Sequence, residues 1–297
     1  MKILITGNKG QLGTELTENI TSGISELGPI PGVYKDSTII GVDIDTLDIA
    51  DANAVMCFSK EHESDPFDLL INCAAMTNVD ACESDPEAAM KGNAIGARNI
   101  AMMADAHGAK IVHISTDYVF SGNSEKPYAE WDVPAPATAY GASKLLGEQY
   151  VRETCNRSFI IRTAWLYGKR GNNFVKTIYG LASKRDEISV VYDQIGNPTN
   201  ACDLAYHILL LGATENYGLV HCTGNGICSW FEFAEEIVRL SGLTCKVNAV
   251  TTEEFPRPAP RPAYSAMDHI TLRCTVGDSM RPWQEALAAY ITSVSLE

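Results

Sequence analysis

Two side chains one helical turn apart are the first residues whose spacing could do chemistry. Tyr140 and Lys144 stand in the stretch YGASK, inside a pattern that predicts a helix over 138–155. A spacing of four residues puts both side chains on one face of that helix. A phenol has an ordinary pKa of about 10, and a neighbouring ammonium lowers that pKa because it favours the phenolate. The pair therefore predicts a proton donor or acceptor that works near neutral pH.

A hydroxyl and a carboxylate upstream fit the same chemistry. Thr116 and Asp117 follow the apolar run KIVHI, where a buried strand is predicted to end. Ligands bind at the ends of the strands of an open parallel sheet, so we expect the Thr116 hydroxyl to help Tyr140 hold a carbonyl oxygen there. Asp117 either belongs to this site or only caps the loop. His113, inside the apolar run, is interpreted as a core histidine.

Three glycines predict a phosphate-binding turn. Gly7, Gly10 and Gly13 follow the apolar run KILIT, at the start of a helical pattern over 11–20. Glycines in this position let backbone N–H groups and a helix N-terminus approach a pyrophosphate. A second apolar run ends in GVDID, where Asp43 could accept hydrogen bonds from an adenosine ribose and would favour NADH over NADPH. Glycines that only end a strand, and an aspartate that only forms a turn, are the alternatives.

Strand-like and helix-like segments alternate around these residues. Short apolar runs rich in Ile and Val predict strands that are buried on both faces. The predicted strands are KILITG, TIIGVD, DLLINCAA, KIVHIST, FIIRTAWLY and ISVVYD, and the predicted helices cover 11–20, 52–62, 86–107, 138–155, 171–184 and 229–240. The alternation predicts an α/β fold: a doubly wound parallel (Rossmann) sheet with a smaller C-terminal α/β substrate domain.

The order of the elements loosens towards the C-terminus, which suggests two domains. We expect a dinucleotide-binding domain over 1–165 plus about 188–224, and a substrate-binding domain over about 166–187 plus 225–297. The stretch 21–37, rich in Gly, Pro and Ser, is predicted to be a surface excursion.

Charge and composition exclude several partners. The formal net charge is −14, which argues against nucleic acid because phosphate backbones are bound by lysines and arginines. No apolar stretch has the length of a membrane span, and the start MKILITGNKG does not read as a signal peptide, so a cytoplasmic protein is expected. The nine cysteines form no C-x-x-C pair and are interpreted as small buried residues.

Taken together, the motifs resemble the extended short-chain dehydrogenase/reductase family. The resemblance rests on the three glycines, NCAA at 72–75, Thr116 and the YGASK pair. The blocks INCAAMTNVDACE, STDYVF, YGASKLLGE, RTAWLYG, DQIGNPT, CSWFEFA and RPAYS are similar to the reductases of dTDP-4-dehydrorhamnose within that family. In the related 4,6-dehydratases an acidic pair follows the threonine. Here Asp117 is followed by Tyr118, which agrees with reduction.

The resemblance implies a reaction and a cofactor. It implies hydride transfer from NADPH or NADH to the C4 ketone of dTDP-4-dehydro-L-rhamnose, which gives dTDP-L-rhamnose for cell-surface polysaccharide. Tyr140 would donate the proton, Lys144 would lower the Tyr140 pKa and bind the nicotinamide ribose, and Thr116 would orient the ketone. Two other interpretations stay open: a reductase or epimerase acting on another NDP-4-ketosugar, and a non-enzymatic regulatory subunit that resembles this reductase.

Further contacts come from the same resemblance. Those to the cofactor would be made by Gly7, Gly10, Gln11, Leu12, Gly13, Asp43, Asp48, Ile49, Ala75, Met76, Thr77, Ile114, Tyr140 and Lys144. The sugar would meet Thr116, Asp117 and Trp165, and the Arg261 guanidinium would bind the diphosphate. The alternatives are a core aromatic for Trp165 and a solvated loop residue for Arg261.

A metal site is not expected from the resemblance. Some relatives dimerise through Mg2+ held by glutamates, and Glu15 is present here. A later position of that kind is occupied by Cys202, whereas magnesium prefers oxygen ligands. Mg2+ is therefore doubtful, and a homodimer stays open.

Overall fold

The computed structural model describes residues 1–294. The strands are β1 (Lys2–Thr6), β2 (Ile24–Ser25), β3 (Gly28–Pro29), β4 (Thr38–Val42), β5 (Leu69–Asn72), β6 (Lys110–Thr116), β7 (Ser158–Thr163), β8 (Leu166–Tyr167), β9 (Glu187–Val191), β10 (Ile195–Gly196), β11 (Thr199–Asn200), β12 (Gly218–His221), β13 (Cys228–Ser229) and β14 (Lys246–Val250). The α-helices are α1 (Gln11–Ser22), α2 (Ala52–Glu61), α3 (Val79–Ser84), α4 (Pro86–Ala89), α5 (Gly96–Ala106), α6 (Ala139–Thr154), α7 (Phe174–Ala182), α8 (Ala201–Gly212), α9 (Trp230–Leu240), α10 (Ile270–Thr275) and α11 (Trp283–Ser293).

Six parallel strands form the central sheet, in the order β12, β7, β6, β5, β1, β4. The chain adds β4 on one side of β1 and β5 on the other, so β1 marks the point where the strand order reverses. At such a point the carboxyl ends of the strands open into a crevice where ligands bind. The predicted doubly wound parallel sheet with a smaller C-terminal region is confirmed.

Helices cover both faces of this sheet because successive side chains of a strand point to opposite faces. On one face Ile3 and Ile5 of β1 pack with Leu16 of α1 and with the apolar residues of α8. On the other face Leu4 packs with residues of α2, α5 and α6, among them Ile100. Each fully buried Ile or Leu contributes about 1.5–3 kcal/mol, so the sheet is a rigid base for the loops at its end.

β12 and β9 are two of the strands that differ from the sequence prediction. The patterns do not predict β12, because its four residues GLVH are few and begin at Gly218, where φ is +133°. The predicted strand ISVVYD exists as β9, but β9 pairs with β14 and lies outside the central sheet, so its predicted place was wrong. Its burial alternates, with Ile188 and Val190 inside, which is typical of a strand covered on one face.

A second packing unit follows the central sheet along the chain. α7, β9, α9 and α11 enclose an apolar cluster that includes Ile178, Val190, Phe233 and Leu287. We therefore keep the two-domain division as a proposal, with β9 moved to the second domain and with α8 and β12 left in the first. The last three residues of the predicted second domain lie outside the described part of the chain.

The sequence patterns did not predict α8, a helix that is buried on all sides. α8 shows no polar face, since its sequence ACDLAYHILLLG is largely buried, and an amphipathic pattern cannot reveal such a helix. The excursion at 21–37 is anchored, because Tyr34 is fully buried and its hydroxyl donates to the Leu209 carbonyl at 2.9 Å. Within residues 1–294, no helix has the length and apolar character needed to cross a bilayer.

Candidate active site

A cavity of about 970 Å³ opens at the carboxyl ends of β1, β5 and β6. It lies where the strand order reverses, as expected for a ligand site in an open parallel sheet. The predicted site residues that line it are Gly7, Gly10, Gln11, Leu12, Gly13, Asp43, Asp48, Ile49, Ala75, Met76, Thr77, Ile114, Thr116, Asp117, Tyr140 and Trp165. Lys144 and Arg261 are the predicted site residues outside this lining.

The glycine turn brings α1 close to β1. Gly7 has φ of +64°, and a Cβ there would lie 2.9 Å from the Ala74 backbone nitrogen. A Cβ at Gly13 would lie only 2.4 Å from the Gly7 carbonyl oxygen. Because neither position has room for a side chain, the turn stays tight and α1 begins at the cavity. This backbone can approach a pyrophosphate closely.

Asp43 lies at the rim of the cavity directly after β4. Its carboxylate accepts hydrogen bonds from the backbone nitrogens of Ile44, at 2.8 Å, and Lys9, at 3.2 Å. The exposed Lys9 ammonium pairs with the neighbouring Asp45. The Asp43 carboxylate therefore lies at the cavity rim, with the Lys9–Asp45 ion pair beside it.

The start of α6 positions Tyr140. The Thr138 hydroxyl caps the helix by accepting from the Gly141 backbone nitrogen at 3.0 Å, which satisfies one free N–H group. Tyr140 follows in the first turn, with its ring edge-on to Tyr118 at a centroid distance of 5.4 Å. The phenol is thereby fixed next to the turn that carries Thr116.

Lys144 lies one turn further along α6 and is almost fully buried. Its ammonium donates to the Ile114 carbonyl at 2.6 Å, which places it against the end of β6. Burial lowers the pKa of Lys144 to about 8, although the charge of Glu148 opposes this shift. Glu148 is itself held by the Arg162 guanidinium at 2.8 and 2.7 Å and by the Ser115 hydroxyl at 2.5 Å.

The pKa of Tyr140 is raised well above its ordinary value, chiefly by burial. The nearby Thr116 hydroxyl lowers this pKa, whereas the charge of Asp117 raises it. The direction is opposite to the one predicted from Lys144, because burial disfavours the charged phenolate and is the largest influence on the Tyr140 pKa. Tyr140 is therefore protonated at neutral pH and suited to donate a proton.

Asp117 is a buried carboxyl on the cavity wall, with 2% exposure. Its Oδ1 accepts from the Thr116 hydroxyl at 3.0 Å, and its Oδ2 has no partner among residues 1–294. Burial raises the pKa of Asp117 to about 6, and the hydroxyls of Ser265 and Thr116 offset this only in part. This carboxyl changes charge close to neutral pH.

Two tryptophans form the wall near Thr116. Trp165 has φ of +47°, an uncommon conformation for a bulky residue, and its indole stacks on that of Trp230 at 3.5 Å. The Trp165 ring also packs closely on Gly196, since a Cβ there would lie 2.7 Å from the ring. The sequence predicts a role for Trp165 but none for Trp230, although Trp230 stands in the block CSWFEFA. The signal that could have found Trp230 is the capping box formed by Ser229 and Glu232, which marks the start of α9.

Arg261 does not reach the cavity lining. Its guanidinium pairs with Asp80 at 2.9 Å and donates to the Ala259 carbonyl at 2.9 Å. The ion pair joins the Pro-rich segment to the start of α3. Its predicted contact with a diphosphate stays a prediction. His113 is a core residue as interpreted, buried on β6, with Nδ1 3.0 Å from the Asn72 amide nitrogen.

Glu15, the residue that matches a metal ligand of some relatives, has a lysine of the protein itself beside it. The buried Glu15 carboxylate lies 3.8 Å from the Lys169 ammonium. The Cys202 thiol lies 3.6 Å from the Ser25 hydroxyl. Among residues 1–294, no three His, Cys, Asp or Glu side chains are grouped so that they could hold a metal ion.

A glycine turn where the strand order reverses, facing a threonine and a Tyr-x-x-x-Lys pair, defines the class of extended short-chain dehydrogenases/reductases. Comparisons with known proteins identify the family within this class. The family model of the RmlD substrate binding domain matches residues 1–296. The spore coat polysaccharide biosynthesis protein SpsK of Bacillus subtilis is 41% identical, over 98% of this chain and 96% of its own length.

Two solved structures are similar to this chain over nearly its whole length. The dTDP-4-dehydrorhamnose reductase of Clostridium acetobutylicum has a TM-score of 0.91 and 46% identity, over 98% of this chain and 99% of that one. The Bacillus anthracis reductase, solved in complex with NADP, has a TM-score of 0.90 and 43% identity, over 99% of each chain. The chain belongs to the RmlD family. The predicted resemblance is thus confirmed, and with it the prediction of a nicotinamide-dependent oxidoreductase.

Proposed function

We propose that the protein reduces the C4 ketone of dTDP-4-dehydro-L-rhamnose to dTDP-L-rhamnose with NADPH or NADH. The observation that carries the proposal is that Thr116 and Tyr140 line the same cavity as the glycine turn, while the Ile114 carbonyl holds the Lys144 ammonium at the end of β6. The relatives named as reductases of this substrate support the choice of sugar.

The cavity fits a nicotinamide dinucleotide. Close backbone packing at Gly7 and Gly13 leaves the N-terminus of α1 open to a pyrophosphate, and Asp43 lies at the end where an adenosine ribose would bind. Bound there, the cofactor supplies the hydride. Lys144, held next to the site by the Ile114 carbonyl, would bind the nicotinamide ribose.

The chain itself supplies the proton and orients the substrate. Tyr140 keeps its proton at neutral pH, so it would donate that proton to the alkoxide formed at C4. Thr116 would hold the same oxygen. The flat wall of Trp165 and Trp230 would pack against the sugar ring, and Asp117 would bind a sugar hydroxyl with its free Oδ2.

A second candidate is reduction of another NDP-4-ketosugar. The 41% identity to SpsK favours it, since that relative is named for spore coat polysaccharide synthesis rather than for a particular sugar. An epimerase would use the same phenol and lysine. A non-enzymatic subunit would have no need for a phenol fixed beside Thr116, which makes turnover the deciding measurement.

The test follows loss of NADPH and of NADH absorbance with dTDP-4-dehydro-L-rhamnose and with other NDP-4-ketosugars. Tyr140→Phe should slow reduction about 100-fold to 10,000-fold, the usual contribution of a general acid. Cofactor binding and the unfolding transition of Tyr140→Phe should match those of the wild type. Equal rates for the two proteins would remove Tyr140 as the acid, and no turnover with any ketosugar would overturn the proposed reduction. The homodimer stays a prediction that sedimentation can test.

A further inference from the structure

We propose that Asp117 is a positioning residue that sets the direction of the Thr116 hydroxyl, so that Thr116 donates towards a bound ketone only while Asp117 carries a proton. The inference rests on the proposed reduction. It adds a residue that acts through Thr116 rather than on the substrate oxygen.

Two hydrogen bonds determine the direction in which the hydroxyl proton of Thr116 can point. The oxygen accepts from the Tyr118 backbone nitrogen at 3.2 Å, and the hydroxyl donates to Asp117 Oδ1 at 3.0 Å. A hydroxyl has one proton and two lone pairs, and an ionised carboxylate can only accept. While Asp117 is charged, the single proton of Thr116 is therefore committed to it and cannot face a ketone.

Protonation of Asp117 reverses this bond. A carboxylic acid proton on Oδ1 would donate to Thr116, so both lone pairs of the threonine oxygen would be occupied, one by Asp117 and one by the Tyr118 N–H group. The Thr116 proton would then be left to point into the cavity, which Thr116 and Tyr140 both line. A ketone oxygen, which only accepts, would meet two donors instead of one.

The surroundings of Asp117 make this change of charge reachable. In the described part of the chain, residues 1–294, no cation pairs with its carboxylate. The titratable side chains that face it there are the phenols of Tyr118 from its own turn and Tyr140 from α6, both neutral at pH 7. Ser265 faces it from the C-terminal region. Arg261 faces Tyr118 and is engaged by Asp80. Burial is therefore the largest influence on the Asp117 pKa, and it favours the neutral carboxyl.

The charge of Asp117 acts on the reaction in the same direction. A carboxylate next to the developing alkoxide would repel it, whereas a neutral carboxyl would not. Both effects make reduction faster when Asp117 is protonated. Tyr140 cannot produce the same pH dependence, because its pKa is raised and it keeps its proton throughout this range.

The experiment is a single-turnover measurement of NADPH oxidation with saturating dTDP-4-dehydro-L-rhamnose, between about pH 5 and about pH 7.5, where Lys144 with its pKa of about 8 stays charged. The wild-type rate should be level below about pH 6 and approach a tenfold fall per pH unit above it. In Asp117→Asn the amide nitrogen keeps donating to Thr116 and cannot ionise, so this fall should disappear. Asp105→Asn removes the charge of an exposed aspartate on α5 and should keep the wild-type profile.

Two threonine variants test the same link with Asp117 unchanged. Thr116→Ser keeps the hydroxyl and should keep the fall above pH 6, whereas Thr116→Val should react slowly with a weaker dependence on pH. A fall that persists unchanged in Asp117→Asn, or in Thr116→Val, would overturn the inference while leaving the proposed reduction intact. Absence of turnover by the wild type with every ketosugar would overturn both.

Discussion

The indole of Trp165 lies flat on the indole of Trp230, with ring centres 3.5 Å apart and planes inclined by 7°. Trp165 follows β7 of the central sheet, and Trp230 is the first residue of α9. The stack therefore joins the two parts of the chain at the wall of the cavity, so a change at Trp230 acts on Trp165 without touching the glycine turn.

Trp230→Leu should weaken binding of the sugar nucleotide. Loss of an aromatic pair costs about 0.5–1.5 kcal/mol, which corresponds to a rise of about 2-fold to 12-fold in the KM for the sugar nucleotide. Steady-state kinetics should show this rise with little change in the KM for NADPH. Trp131→Leu removes an indole that is 69% exposed, and it should leave both KM values unchanged. An unchanged KM in Trp230→Leu would remove the stack from the substrate site.

Gly13→Ala should disrupt cofactor binding. The added Cβ would lie 2.4 Å from the Gly7 carbonyl oxygen, so α1 has to move away from the turn. We expect a loss of at least about tenfold in NADPH affinity, or about 1.4 kcal/mol, measured by fluorescence titration. Gly180→Ala is the control, because open space surrounds Gly180 in α7. That control should bind NADPH normally and unfold at a slightly higher temperature, whereas equal affinity of Gly13→Ala would contradict the close packing.

Glu148→Gln should shift the titration of Lys144. The Glu148 charge raises the pKa of Lys144, so its removal should bring that pKa below about 8. If Lys144 binds the cofactor as a cation, NADPH affinity should then begin to fall at a lower pH than in the wild type. The variant should also lose about 3–5 kcal/mol of unfolding free energy, because the buried Arg162 loses its partner. Glu153→Gln, exposed on the same helix, should change neither quantity.

Asp117→Asn should change the pH dependence of stability. The folded pKa of about 6 lies above the ordinary value of 3.8, so the contribution of this group to stability is present below about pH 4 and is lost as the pH rises through 6. Urea unfolding should therefore show the variant gaining about 1–3 kcal/mol on the wild type between pH 4 and pH 7. Asp105→Asn should track the wild type, and parallel curves for Asp117→Asn would show that Asp117 titrates normally.

Asp43→Ala should move cofactor preference towards NADPH. The Asp43 carboxylate at the cavity rim would repel a 2'-phosphate, and removal of one charge near a surface is worth about 1 kcal/mol, or about fivefold in the ratio of kcat/KM for NADPH over NADH. Asp45→Ala, which frees the Lys9 ammonium at the same rim, provides the comparison. An unchanged ratio in Asp43→Ala would place the adenosine ribose elsewhere.

Local sequence predicted the parts of the site that lie within one element. Tyr140 and Lys144 share a helix, and the glycines share one turn, so spacing alone fixes their relation. The parts that were missed come from contacts between distant segments. Trp230 reaches Trp165 across 65 positions, and Arg261 pairs with Asp80 rather than with the cavity. Periodicity carries no information about such contacts.

The same limit applies to the fold. The strands buried on both faces were predicted because their apolar runs are continuous, as in β1 and β5. The place of β9 was predicted wrongly, because a run of five residues does not reveal that its pairing partner is β14. The pKa of Tyr140 was also predicted in the wrong direction, because desolvation depends on packing from several elements and no pair of neighbours reveals it.

The hydrogen bond from Lys144 to the Ile114 carbonyl has a consequence for the proposed binding of the cofactor. Ordering a lysine side chain costs about 1.5–2 kcal/mol in lost rotamer freedom. For Lys144 this cost arises when the protein folds, because the hydrogen bond already orders the side chain. In the proposed cofactor complex, the dinucleotide would therefore meet a lysine side chain that is already ordered, and none of its binding energy would be needed to order that side chain.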